Sequence, residues 1–332
     1  MFAISTLLDI SVLTLLVVVA LAMVRERDLF ATVMLSGIYG LLSASFFVLM
    51  DAADVAFTEA AVGAGIFPLL MLTVLTSVGR YEAGERRIRI LPLVLMLALA
   101  GALFAAVVQM PPFGAVDAPS HAHVAQRYIH ESPDEIGIPN MVTSVLASYR
   151  GFDTLGEVVV IFTAAVGVVV VLLGGRPKTP QQSSQALMAE HKVLRIVGKM
   201  LIPMILLFGL YVQFHGEYGP GGGFQAGVIF AVGIILYAML FGLSNAQRVV
   251  PLGVLRWLVA LGVLIYGSVG LASLLAGGEY LNYSVLAGDS VTGQHIGIIL
   301  IELGVGITVA SAMVLIFFAF TRATRSRDEL EE

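Results

Sequence analysis

Three glutamates stand out because each lies inside or beside a long apolar run, where a carboxylate is costly to keep. Glu59 sits in DVAFTEAAVGAGIFP, within a stretch from Asp54 to Gly79 that is long enough to cross a bilayer. An ionisable group in a membrane span is expensive unless it faces protein or water, so it marks an ion or proton route by default. Gly63, Gly65 and Pro68 follow it, and glycines with a proline weaken the helical ladder enough for a bulge or hinge. Glu59 is therefore read as a carboxylate that binds or relays H+ or Na+ beside a deformable helix. The plain alternative is a glutamate hydrogen-bonded to a neighbouring span.

Glu157 opens another apolar run four residues after Asp153, so the two acids share a helical face. If both are charged they repel, which favours a shared proton, a bound cation or a basic partner such as Arg150. Asp153 also suits an N-cap, which leaves Glu157 as the better relay. Glu302 lies about two turns inside the last run, with His295 seven residues earlier on nearly the same face. An imidazole and a buried carboxylate can pass a proton or share a cation.

The connection HGEYGPGGGFQAG, with Gly221, Gly222 and Gly223 in succession, suits a re-entrant loop or one that carries His215 and Glu217 to a cavity mouth. A tight turn between closely packed helices explains it equally well. It lacks the Lys-Ser or Lys-Thr of a phosphate-binding loop. His121, His123 and His130 share a polar segment without thiolates or regular ligand spacing, so no metal and no cofactor is expected.

These side chains need a scaffold, and composition defines it. Hydrophobic residues make up 58% of the chain and charged residues only 12%, which excludes an ordinary soluble domain. Runs of about 20 apolar residues occur at 2–24, 29–50, 54–79, 90–110, 154–174, 195–214, 224–243, 252–275 and 294–320. Continuous runs, unlike the alternating segments of a membrane barrel, argue for helices. The expected fold is an all-α polytopic integral membrane bundle of nine transmembrane helices. Ala20-Leu21-Ala22 resembles a signal cleavage site, but Asp9 and the lack of a basic residue in the first ten argue for a true span.

Nine spans assign every connection to a side. Arg25, Arg27, Arg80, Arg86, Arg87, Arg89, Arg176, Lys178, Lys192, Arg195, Lys199, Arg248, Arg256, Arg322, Arg325 and Arg327 then fall on one side, against Arg127 and Arg150 on the other. The positive-inside rule places the N-terminus outside and the C-terminus in the cytoplasm. This implies a multi-pass protein of the cell's inner (cytoplasmic) membrane. No basic cluster suits a nucleic acid, and the absence of cysteine excludes disulfides, thiolate metal sites and iron–sulfur ligation. The three lysines all fall on the basic side, so a pump that pairs buried lysines with glutamates cannot be this chain alone.

Three blocks are expected: four spans as a compact unit in 1–110, an outer loop with a single span in 111–174, and four spans in 195–332. The polar segment 175–194 links the last two. No internal repeat supports an inverted-repeat carrier.

Three of the motifs bear a resemblance that spans nearly the whole chain. DVAFTEAAVGAG at 54–65 resembles the MbhD-like module, GFDTLGE at 151–157 the MbhE-like module, and HGEYGPGGGFQAG at 215–227 the MnhB-like subunit. All three belong to Mrp-type multisubunit Na+/H+ antiporters and related membrane-bound hydrogenases. The resemblance implies that modules normally divided between the end of a large A subunit and a small B subunit are fused here. It also implies that large proton-channel-like subunits and small membrane subunits are partners in the bilayer, and that a partner supplies the channel portion expected upstream. A π-bulge in the third helix, seen in a similar complex I subunit, suits Gly63 and Gly65. Glu59 and Glu157 map onto family acids implicated in ion translocation, and the GVG after Glu302 is family-like. The implied function is exchange of Na+, or another monovalent cation, for H+ under the proton motive force, without bond-making chemistry. The alternatives are an ion-translocating subunit of a redox-driven, complex I-related pump and a structural scaffold.

Overall fold

A computed structural model of the protein describes residues 2–83, 90–112, 114–173 and 192–331. Among them, nine helices are long and apolar enough to cross a membrane, one for each apolar run of the sequence. They are α1 (Phe2–Arg25), α2 (Leu29–Leu49), a third span built from α3 (Ala53–Glu59), a π-helical segment Ala60–Ile66 and α4 (Phe67–Val78), then α5 (Ile90–Val108), α6 (Gly151–Leu173), α7 (Lys192–His215), α8 (Gly223–Phe241), α9 (Leu252–Leu275) and α10 (Ser290–Glu331). The protein is a multi-pass helical membrane protein.

The core runs along α10. This helix packs on α9, α8, α6 and α4, and two thirds of its best apolar window is buried. Ile298, Ile301, Val309, Ala312, Val314 and Phe318 are essentially inaccessible. Their surroundings are apolar on every side, which is why α10 lacks the polar face of a surface helix.

Local signals set the ends of the elements. Asp28 caps α2 by accepting from the Phe30 and Ala31 amides at 2.9 and 3.4 Å. Its other oxygen takes the Arg80 guanidinium at 2.7 Å, tying the α1–α2 connection to the chain just past α4. That guanidinium, with the two amides, holds the Asp28 carboxyl below the usual carboxylate range. Arg322 donates to Gln247 at 3.1 Å at this same end of the bundle. At the opposite end, the amide of Asn140 donates to Asp54 Oδ1 at 3.2 Å, to the Gly216 carbonyl at 3.2 Å and to the Gly219 carbonyl at 3.1 Å. Arg86, Arg87, Arg89, Arg176, Lys178 and most of the expected 175–194 linker lie outside the described residues.

Two expectations about grouping change. Residues 192–194 already belong to α7, because Lys192 and Val193 continue its helical pattern. Among the described residues the first four spans do not form one compact unit: α5 buries none of its residues there and packs substantially on no other described element, whereas α2 packs on α1 and on the whole third span. A helix apolar all round has no polar face to turn outward, so lipid or another chain can cover it as well as its own neighbours can.

The α2 contact depends on two glycines. A Cβ on Gly40 would lie 2.5 Å from the Gly63 carbonyl carbon, so the two backbones touch with no room for a methyl group. Close backbone approach of this kind is how membrane helices gain packing energy. Gly40→Val is expected to destabilise the fold by about 1–3 kcal/mol through overpacking, measured as a lower thermal midpoint in detergent. Gly101→Val, at a position with open space around it, is the control that leaves the midpoint unchanged.

Candidate functional site

The third span positions two acids on different faces. Asp54 lies in the first turn of α3, and Glu59 ends it, where the backbone shifts to the π-segment. A π-turn inserts one residue and rotates everything beyond it, a device frequent at functional sites. Gly63 and Gly65 lie inside this segment and Pro68 begins the next α-helical turn. The Glu59 carboxylate rests over Gly63, where a Cβ would come within 2.5 Å of Oε1. It is part-buried, faces the Gly40–Gly63 contact with α2, and has no hydrogen-bond or ion-pair partner among the described residues.

Asp54 and Thr58 instead face a cavity of about 740 Å³, shared with Glu157 of α6 and Glu302 of α10. Gly222, Gly223 and Gln225 complete the polar part of the wall, and Gln225 donates to Thr58 Oγ1 at 2.7 Å. Among the described residues no three acidic or histidine side chains converge as a metal site, and the three acids come to the cavity wall from three different helices. Such an arrangement repels itself unless at least one member carries a proton or a cation sits among them.

The glycine-rich loop explains how Glu302 is tolerated. Gly222 has φ +110, which favours glycine, and a Cβ there would stand 3.0 Å from Glu302 Oε1. The chain then enters α8 at Gly223, so the free amides of that helix end are next to the carboxylate. Hence the glycines bring α8 and α10 into contact and build the cradle of an acid in the same stroke.

A second π-segment, Ser144–Tyr149, leads into α6. Side chains take up carbonyls here and at the first residue of α6: Thr154 donates to the Leu146 carbonyl at 2.8 Å, Tyr283 to Ala147 at 3.1 Å and Tyr266 to Gly151 at 2.7 Å. The far end is tied by Tyr149, whose hydroxyl donates to Glu135, which also accepts from Arg127 at 2.7 Å.

The structure separates some sequence-paired residues. Asp153 does not share a site with Glu157; it pairs with Arg150 at 2.6 Å on the exposed surface, because the three-residue spacing lets the long arginine reach it. His295 meets Glu217 rather than Glu302, its Nδ1 standing 3.2 Å from the carboxylate, since the loop folds over the start of α10 and reaches the ring first. His215 stacks on Tyr211 with ring centroids 4.9 Å apart and lines neither of the cavities that Glu302 lines, while Glu217 lines one of these, of about 190 Å³, together with Glu302. Asp54, Thr58, Gln225 and Asn140 were not singled out from the sequence. Asp54 had a signal, an acid five residues before Glu59 in the same run, but its place in a helix's first turn reads as simple dipole complementation.

Comparison with known proteins places this geometry. The profile for the domain related to the MnhB subunit of Na+/H+ antiporters matches residues 193–315, the MbhD profile, for the D subunit of MBH, matches 14–80, and the MbhE profile, for its E subunit, matches 86–190. A putative antiporter subunit mnhB2 of Staphylococcus aureus (strain Newman) is 31% identical over 132 residues, which are 39% of this chain and 93% of the relative. A probable A/B subunit of a K(+)/H(+) antiporter of Rhizobium meliloti (strain 1021) is 27% identical over 321 residues, covering 87% of this chain and 32% of the relative. The Mrp complex from Dietzia sp. DQ12-45-1b contains a chain that superposes with a TM-score of 0.71 at 28% identity, over 92% of this chain and 34% of that one. Fold and comparisons together define a polytopic helical membrane protein. The chain belongs to the Mrp/Mnh family of multisubunit cation/proton antiporter subunits and unites MbhD, MbhE and MnhB domains in one polypeptide. It spans about a third of the length of the A/B relative and of the Mrp-complex chain. The helix α5 falls in the range matched by the MbhE profile rather than the MbhD profile.

Arg127, followed by the Tyr149 hydroxyl, holds the Glu135 carboxyl below its ordinary value of 4.5. Burial, with the adjacent Glu135, pushes Tyr149 up to about 12. A depressed carboxyl contributes stability above its unfolded value that is lost as pH falls through the folded one. Amide protection across 125–150, taken relative to the intrinsic exchange rate at each pH, is therefore expected to fall as the pH drops below about 4.5, and Glu135→Gln should remove that pH dependence. Asn140→Ala, which strips partners from buried carbonyls, should cost about 1–3 kcal/mol in thermal or denaturant unfolding.

Proposed function

We propose that this chain carries part of the ion path of an Mrp-type antiporter, exchanging Na+ or another monovalent cation for H+ under the proton motive force. The observation that carries the reading is the shared cavity: Asp54, Glu157 and Glu302, one from each of the three family segments, line a single space between α3, α6 and α10. Family membership supports the exchange reaction, and the names of the relatives leave both Na+ and K+ as cargo. The chemistry is protonation and deprotonation, in which a cation and a proton compete for carboxylates that cannot all stay charged together. Glu59 acts from the other face of the third span, where the π-segment lets its carboxylate take up or release a proton or cation as the helix rotates. Cargo aside, the basic residues favour an orientation with the N-terminus outside and the C-terminus in the cytoplasm, within the cell's inner membrane. Partners are the large proton-channel-like subunits and small membrane subunits of such a complex, in contact with lipid and with the exposed face of α5.

The test is cation-dependent ΔpH dissipation in everted vesicles carrying the complete complex. Glu157→Gln and Glu59→Gln are each expected to lower exchange at least tenfold with the complex still assembled, and Asp54→Asn to raise the cation concentration for half-maximal exchange. Intact exchange in both glutamate variants would reduce the chain to a scaffold. The MBH profiles favour one second reading, a redox-driven pump that uses the same cavity. Purification in mild detergent separates the two: iron–sulfur or nickel–iron subunits travelling with the chain would replace the antiporter by the redox-driven pump.

A further inference from the structure

The pair formed by Glu217 and His295 lies outside the large carboxylate cavity, yet only one small cavity separates them. Nδ1 of His295 stands 3.3 and 3.2 Å from the two Glu217 oxygens. The glutamate side chain is 13% exposed and the histidine 31%, so the imidazole is the more accessible member. Behind them is the cavity of about 190 Å³, with Glu217 and Glu302 both in its wall and Gln213 beside them. That volume is well above the roughly 10–15 Å³ that one water needs. Glu302 lines both this cavity and the larger one holding Glu157 and Asp54. A series of titratable groups thus runs from an accessible imidazole to the shared acids, with room for water at each gap.

The other ionisable groups on elements packed around this part of α10 are engaged elsewhere. Glu135 is held by Arg127 and Tyr149, and Asp153 by Arg150. Asp289 accepts from Thr292, and the Tyr266 and Tyr283 hydroxyls donate to backbone carbonyls. His215 stacks on Tyr211, while Asp134 is exposed on the surface. Lys192, Arg195, Lys199 and Arg256 belong to the far ends of α7 and α9.

We propose that His295 and Glu217 form a proton port that loads Glu302 from the aqueous phase at the glycine-loop end of the bundle. An imidazole is suited to this task because it takes a proton on Nε2 and gives one up from Nδ1. In the loading direction, solvent protonates Nε2, Nδ1–H passes its proton to the Glu217 carboxylate, and Glu217 passes it through cavity water to the Glu302 carboxylate. His295 is left neutral with its proton on Nε2, and ring reorientation or proton exchange with solvent resets it. This inference rests on the antiporter reading and adds to it the inlet by which protons reach the shared acids.

The experiment uses the whole complex in vesicles, with each variant first scored for co-purification of its partner subunits. His295→Ala is expected to lower exchange at least tenfold, in line with the factor of about 10²–10⁴ that a positioned proton-transfer group supplies. Added imidazole should restore several-fold activity to this variant, and pyrazole, of the same shape but not protonated near neutral pH, should not. Imidazole should fail to rescue Glu217→Gln. His295→Gln keeps a hydrogen bond to Glu217 but cannot relay a proton, so it should be as slow as His295→Ala. Wild-type exchange in His295→Gln overturns the port, as does equal rescue by both additives. Failure of both His295 variants to assemble makes the pair a structural tie and also overturns it. Glu157→Gln and Glu59→Gln distinguish the levels: if they lower exchange while His295→Gln does not, only the port falls, and if both leave exchange intact the placing of the ion path in this chain falls with it.

Discussion

In a bilayer a backbone polar group or a carboxylate has no bulk water to turn to, so each must find a partner within protein or an enclosed hydrated space. Much of this molecule follows from that constraint. The two π-segments loosen helices where an ordinary α-helix would keep every carbonyl engaged, and other parts of the chain take up the slack. Tyr283, from the connection after α9, holds a carbonyl of the second π-segment, and Tyr266, from α9, holds one at the start of α6. Asn140 does the same for the glycine loop while binding Asp54, so one buried amide side chain joins the first, second and third family segments. Both π-segments lie where they pack against another helix, and the second also lines the large cavity.

The same constraint explains why the acids meet at a junction. At the meeting of α3, α6 and α10 the other segments partly bury Asp54 and Glu302, and Glu157, exposed on α6, joins them in lining one cavity. The long α10 makes this possible. Two thirds of its best apolar window is buried, and it presents Glu302 beside the start of α8, where the first amides have no partner within the helix. Fusion of the three domains in one polypeptide keeps the walls of the cavity together as a single folded unit.

The location of the spans was legible because apolar length alone decides it: each run of about 20 residues became a helix, with ends moved by a few positions. Glu157 and Glu302 were legible as acids out of place in such runs. The π-segment lies where Gly63 and Gly65 weaken the third helix. Partnership was less visible. Helical spacing put His295 beside Glu302, yet a ring and a carboxylate two turns apart on one helix are roughly 10 Å apart along its axis, and the loop acid Glu217 came closer. The isolation of α5 was also hidden, because an all-apolar helix carries no mark of which neighbour, protein or lipid, covers it.

What the amino-acid order determined by itself is therefore the local part: nine apolar helices, their glycine-weakened points, and the acids that violate the apolar pattern. Burial and periodicity act over one or a few turns, so a single strand of text contains them. Only the tertiary structure decided that Asp54 faces the shared cavity while Glu59 faces α2, that Asp153 is spent on Arg150, and that Glu217 reaches His295. Those outcomes depend on which helices lie side by side and how a π-turn rotates the faces beyond it, and residues separated by 86 positions, as Asn140 and Asp54 are, meet through packing that no local pattern encodes.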